Sequence, residues 1–166
     1  MFDLLFGPAK MLIEKGMDHF KKSEELKNLT FVIKDKILRE TRFNLEIVQQ
    51  LLRRVEAKEK GAQLALIKAI RTSAFDELDR GNIPISFLFP SGVDKGNWPK
   101  WCDKRVYEER YKKYTKSIDS QADLLERTYH RLYLLKTYAE CGEVRGDIDY
   151  VCFLLQILRD SLKESE

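Results

Sequence analysis

The sequence predicts an all-α protein: a four-helix bundle of two antiparallel helical hairpins joined by a long loop, with an N-terminal amphipathic arm. Three observations carry that expectation. The 166 residues include only 8 glycines and 4 prolines, while Asp, Glu, Lys and Arg make up 34% of the chain. Few turn formers and abundant charge favour long solvated helices over strands. Apolar residues recur at steps of three and four over most of the length, the spacing of one helix face. Pro84, Pro90 and Pro99 fall in one stretch, which marks a single long irregular connection. With 43% hydrophobic residues at this length one core suffices, so a single domain over 1–166 is expected.

Residues 1–22 form the arm, apolar through Met1, Phe2, Leu4, Leu5, Phe6, Met11, Leu12, Ile13, Met17 and Phe20. Asp3, Lys10, Glu14 and Lys15 interrupt it too often for a membrane span, and it lacks the positive start of a secretory signal. Such an arm docks on its own bundle, on another subunit or, less in keeping with its few cations, on a membrane surface.

The first hairpin covers 23–80. Ser23 before Glu24 and Glu25 is an N-cap with an acidic first turn, and Leu26, Leu29, Ile33, Ile37, Leu45, Val48, Leu52 and Val55 make one stripe. Gly61 is the expected stop. A second helix from about Ala62 to Asp79 should bury Leu64, Ile67, Ile70, Ala74, Phe75 and Leu78 before Gly81 ends it. The loop occupies 81–102, with one buried turn expected at Ile85 to Phe89.

The second hairpin covers 103–166. Tyr107, Tyr111, Tyr114, Ile118, Gln121, Leu125, Thr128, Leu132 and Leu135 alternate steps of four and three, a heptad seam that predicts one continuous helix from about Asp103 to Glu140. Cys141-Gly142 ends it, and a last helix runs from about Asp147 to Lys163. Thr41, Asn44, Gln121 and Thr128 put polar groups at seam-like positions. They either fix the register between helices or line a small polar pocket.

The residue inventory excludes more chemistry than it suggests. There are two histidines, His19 and His130; Glu126 stands four before His130, but the paired Glu-x-x-His motifs of a di-iron bundle are absent. Neither a metal nor a cofactor is expected. An Arg-x4–6-His pair, as in helical RNA-cleaving toxins, is also absent, as are a Gly-rich phosphate loop and a GxSxG turn. Cys102, Cys141 and Cys152 are odd in number and form no CxxC pair, which fits reduced thiols and a cytoplasmic location. An enzyme is therefore not expected.

The net charge of +3 is too small to argue for nucleic acid by itself. Its distribution says more: from Lys100 to Lys116 seven basic residues stand against three acidic ones, and from Glu140 onward seven acidic against three basic. Lys104, Arg105, Lys112, Lys113 and Lys116, interleaved with Tyr107, Tyr111 and Tyr114, could bind phosphates while the rings stack on unpaired bases. Alternatively the tyrosines simply begin the seam. Phe87, Phe89, Trp98 and Trp101 in the loop are either interface anchors or a cap on the bundle. The expected function is a non-enzymatic interaction module that contacts a protein partner or a second copy through Phe2, Leu5 and Phe6 of the arm and these four loop aromatics. Weak nucleic-acid binding through the basic stretch is the alternative.

Overall fold

The computed structural model describes residues 16, 22–81 and 83–163. Most of them are helical, and among the described residues no strand forms; an isolated antiparallel bridge joins Gly92 and Ser120. No helix among the described residues is long and apolar enough to cross a membrane.

The longest helix, α1 (Glu24–Glu56), begins where its cap chemistry places it. The Ser23 hydroxyl accepts from the Leu26 N–H at 3.1 Å, and Glu24 and Glu25 set negative charge at the positive end of the helix dipole. Leu26, Leu29, Ile33, Ile37, Leu45 and Val48 are buried; beyond them the buried position is Leu51, and Val55 is exposed. The helix stops at Glu56, before Gly61 is reached. Lys58 turns the chain at φ 57°, with its N–H on the Val55 carbonyl at 3.0 Å and the Glu59 N–H on the Arg54 carbonyl at 3.1 Å. Gly61 lies inside α2 (Lys60–Ala69). Glycine takes a left-handed turn at least cost, so the sequence pointed to the wrong residue.

The helix expected from Ala62 to Asp79 is two helices. α2 ends at Ala69, Ile70 is extended, and α3 (Ser73–Arg80) begins after Thr72. Remote side chains hold this break. The Asn44 amide of α1 accepts from the Arg71 N–H at 2.8 Å and donates to the Arg71 carbonyl at 2.6 Å, replacing both lost backbone bonds with one side chain. Lys136 donates to the Ile70 carbonyl at 2.9 Å. Glu40, only 7% exposed, caps α3: one carboxylate oxygen accepts from the Ala74 N–H and the Ser73 hydroxyl, each at 3.0 Å, and the other from the Tyr129 hydroxyl at 2.7 Å.

The loop carries α4 (Ile85–Leu88) and a 3₁₀ turn (Lys95–Trp101), opened by the Asp94 carboxylate on the Gly96 N–H at 2.8 Å. The predicted continuous helix from Asp103 to Glu140 then breaks as well. α5 (Lys104–Val106) passes into a π segment (Tyr107–Tyr111) and α6 (Lys112–Tyr114). A π turn takes in an extra residue, here marked by the Lys112 N–H bonding to the Tyr107 carbonyl. The buried stripe therefore runs 107, 111, 115: Thr115 is 2% exposed and Tyr114 45%.

After Thr115 the chain leaves the helix, and α7 (Gln121–Glu140) restarts on a capping box. The Ser120 hydroxyl accepts from the Asp123 N–H at 3.1 Å, while the Asp123 carboxylate accepts from the Ser120 N–H at 2.9 Å. The long loop fills the gap, its Ser91 carbonyl taking the Gln121 N–H at 2.8 Å. Ile118, Leu125, Leu132 and Leu135 are nonetheless buried as the seam requires. Burial survives where continuity fails.

α7 ends before Gly142, at φ 75°, and α8 (Ile148–Lys163) follows Asp147, whose carboxylate accepts from the Tyr150 N–H at 3.0 Å. α8 packs against α1 and α7, and α2 packs against the same two helices. All four polar seam residues are buried. Asn44 and Gln121 bridge elements, Gln121 donating to the Ser161 carbonyl of α8 at 2.6 Å, whereas Thr128 bonds back to Leu124 within its own helix at 2.7 Å.

Candidate interaction surface

A helix face that carries apolar side chains is ordinarily covered, and the N-terminal third of α1 has one that the described residues leave open. Phe31 is 70% exposed and Val32 beside it is exposed as well. Phe31 belongs to a groove of about 780 Å³ lined by Leu26, Thr30, Phe31, Lys34 and Leu38 of α1, Phe87 and Pro90 of the loop, and Leu162 of α8. The spacing of the α1 residues by threes and fours puts them on one face. Lys34 stands 6.0 Å from the Phe89 ring centre, and burial lowers its pKa. Charges rim the groove as exposed pairs, Lys27 with Glu24 at 2.6 Å and Arg39 with Asp35 at 2.7 Å.

Of the loop aromatics proposed as anchors, the structure brings one to this groove. The single turn of α4, closed by the Phe89 N–H on the Ile85 carbonyl at 2.9 Å, buries Leu88 and Phe89 completely and leaves Phe87 half-buried at the groove wall. Phe89 and Trp98 are thus core residues and not surface anchors. Trp98 meets Phe153 of α8 edge-on at 6.4 Å, and half-buried Trp101 lies under the Arg159 guanidinium at 5.3 Å. They also line a separate cleft of about 420 Å³ with Asp94, Asn97, Gln121 and Ser161. Large rings that would anchor an interface serve equally well as a plug over a bundle, and here the plug is what two of them form.

No family model, curated protein or solved structure matches this chain.

Phe2, Leu5 and Phe6 lie outside the described residues. The segment that carries them joins α1 at Ser23, three residues before the groove begins at Leu26. Phe31 itself escaped the sequence reading because it sits off the buried stripe. The signal available was an adjacent apolar pair, Phe31-Val32, on the face that should be polar.

The basic stretch is less available to phosphates than its composition suggests. Arg105 pairs with Glu109 and Lys112 with Glu108, both at 2.9 Å, and Arg110 pairs with Asp147 at 2.6 Å. Lys104, Lys113 and Lys116 are exposed. Two of the three rings are withdrawn: Tyr107 and Tyr111 are buried against Phe153, at 6.1 and 4.9 Å, and exposed Tyr114 stands edge-on to Tyr150 at 5.7 Å. Among the described residues no cluster of His, Cys, Asp and Glu could hold a metal ion. Cys152 is buried, which pushes its thiol up to about 11 and keeps it protonated near neutral pH.

Proposed function

We propose that the protein is a non-enzymatic helical interaction module that pairs with a second copy of itself, the groove of each copy seating the apolar face of residues 1–20 of the other. The observation that carries this reading is Phe31, 70% exposed in a groove that begins where an apolar segment joins the helix. Phe2, Leu5 and Phe6, at helical spacing, supply the kind of anchors that helix-in-groove recognition uses. Exchange of such a segment between identical copies is a low-cost route to a dimer. The scaffold in this reading is one domain, a four-helix bundle in which α1 with α2 and α7 with α8 form the hairpins; the packing of α8 on α1 and of α2 on α7 supports it.

Sedimentation of the full chain at tens of micromolar tests the proposal, since a contact of ordinary size and about micromolar affinity is mostly formed there. A dimer is expected for the full chain, and a monomer for Phe31→Asp and for a chain lacking residues 1–20, with the helical signal of the remaining residues preserved. A full chain that sediments as a monomer overturns the reading. So does a deletion that lowers stability without changing mass, which would put the arm on its own groove.

A further inference from the structure

Away from the groove, the junction of α7 and α8 forms an open cavity of about 230 Å³. Arg131 and Tyr138 of α7, Arg145 and Gly146 of the connection, and Tyr150 of α8 form its walls. Its donors are unusual. Arg131 makes no ion pair among the described residues; its guanidinium lies 5.6 Å from the Tyr150 ring centre, and its Nε is buried without a hydrogen-bond partner. Tyr150 is 2% exposed, and its hydroxyl is likewise buried without a partner. Arg145 lies 5.5 Å over the Tyr138 ring and is only loosely compensated, with Glu143 standing off at 3.8 Å. The carboxylate in the wall, Asp147, is already engaged by Arg110 at 2.6 Å and by the Tyr150 N–H at 3.0 Å.

Buried polar groups without partners are rare, because each gives up its water and regains nothing. Here Arg131 and Tyr150, each holding a buried polar atom without a partner, share the wall of one cavity whose charge is net positive. The Arg131 N–H can only donate and the Tyr150 hydroxyl can donate as well as accept, so one acceptor can serve both. A guanidinium fork matches oxyanion geometry, and a cavity this small excludes a drug-sized molecule.

We propose that this cavity binds a phosphate group, with Arg131 and Arg145 as its cationic clamp and the Tyr150 hydroxyl as a neutral donor. The group arrives either as free phosphate or as a small phosphate monoester. Titration calorimetry on the full chain at fixed ionic strength tests this, with inorganic phosphate and glycerol phosphate as probes and acetate as a planar comparison. One saturable site per chain is expected for phosphate, and tighter binding of the monoester would identify it as the source.

Tyr150→Phe removes only an unpartnered hydroxyl. It should leave the unliganded protein as stable as before or slightly more so, yet weaken phosphate about tenfold. Arg131→Gln should weaken phosphate by more than about tenfold, and Arg131→Lys, which keeps the charge but loses the fork, by less. Absence of saturable heat, saturation by acetate alone, or unchanged phosphate affinity in Tyr150→Phe and Arg131→Gln would overturn the assignment. If Arg131→Gln does not fold, Tyr150→Phe decides.

Discussion

The chain interrupts two helices that its periodicity would carry straight through, and only one of the two restarts on a cap supplied by its own neighbours. At residues 70–72 the loose backbone is held from a distance: Asn44 clamps Arg71, Lys136 takes the Ile70 carbonyl, and Glu40 caps α3. At residues 115–120 the helix restarts on a local cap, Ser120 and Asp123 capping each other three residues apart, while the loop adds the Ser91 carbonyl on the Gln121 N–H and Lys95 on Asp119. A break fastened by tertiary contacts exists only when the fold is complete. One fastened by its own neighbours can form while the helix is still isolated.

The largest effect should follow loss of the distant cap. Glu40→Ala strips the acceptor from the Tyr129 hydroxyl, the Ser73 hydroxyl and the Ala74 N–H, and should lower unfolding free energy in urea by about 3 kcal/mol. Asn44→Ala should cost about 2 kcal/mol and speed hydrogen exchange in α3 more than in α7. If it costs no more than the local cap, the contrast between the two breaks is wrong.

Ser120→Ala should cost about 1 kcal/mol, the usual loss for a helix cap. It should also change the response to acid. The Ser120 hydroxyl is the main cause of the lowered pKa of the Asp123 carboxyl; burial opposes it next, and the Asp119 and Ser120 N–H groups add further lowering. A depressed carboxyl contributes stability above its unfolded pKa and loses it as pH falls through the folded value. The variant should therefore show a flatter acid limb in unfolding midpoint against pH. Smallest is Lys58→Gly, which relieves a left-handed non-glycine residue and should raise stability by about 0.5 kcal/mol after the added freedom of the unfolded chain is counted.

These two breaks also show what the sequence could disclose. Helix ends written in neighbouring residues were legible: Ser23 with its acidic first turn, Gly142, and Asp147. The Ser120 cap is equally local, but the heptad register passed over it, since Ile118, Gln121 and Leu125 are buried on both sides of the break. The Asn44 clamp was legible only as a buried amide in need of a partner, because that partner lies 27 residues away. The π segment altered the phase without altering composition, turning Tyr114 outward and Thr115 inward. In the candidate surface Phe87 was legible only as one of four loop aromatics, and the structure sets it at the groove wall. Phe89 and Trp98 were not separable from it by type, because aromatic area suits a core and an interface alike.

The loop that plugs the bundle has a spectroscopic consequence. Trp98 and Trp101 are the two tryptophans of the whole chain. Indole emission therefore comes entirely from one 3₁₀ turn resting on α8. Trp98, buried beside Phe153, should emit to the blue and resist iodide, while Trp101, half-exposed beneath Arg159, should emit to the red and be quenched. Fluorescence thus follows the seating of this turn alone, and any lag between its change and the loss of circular dichroism dates the departure of the plug relative to the melting of the helices beneath it.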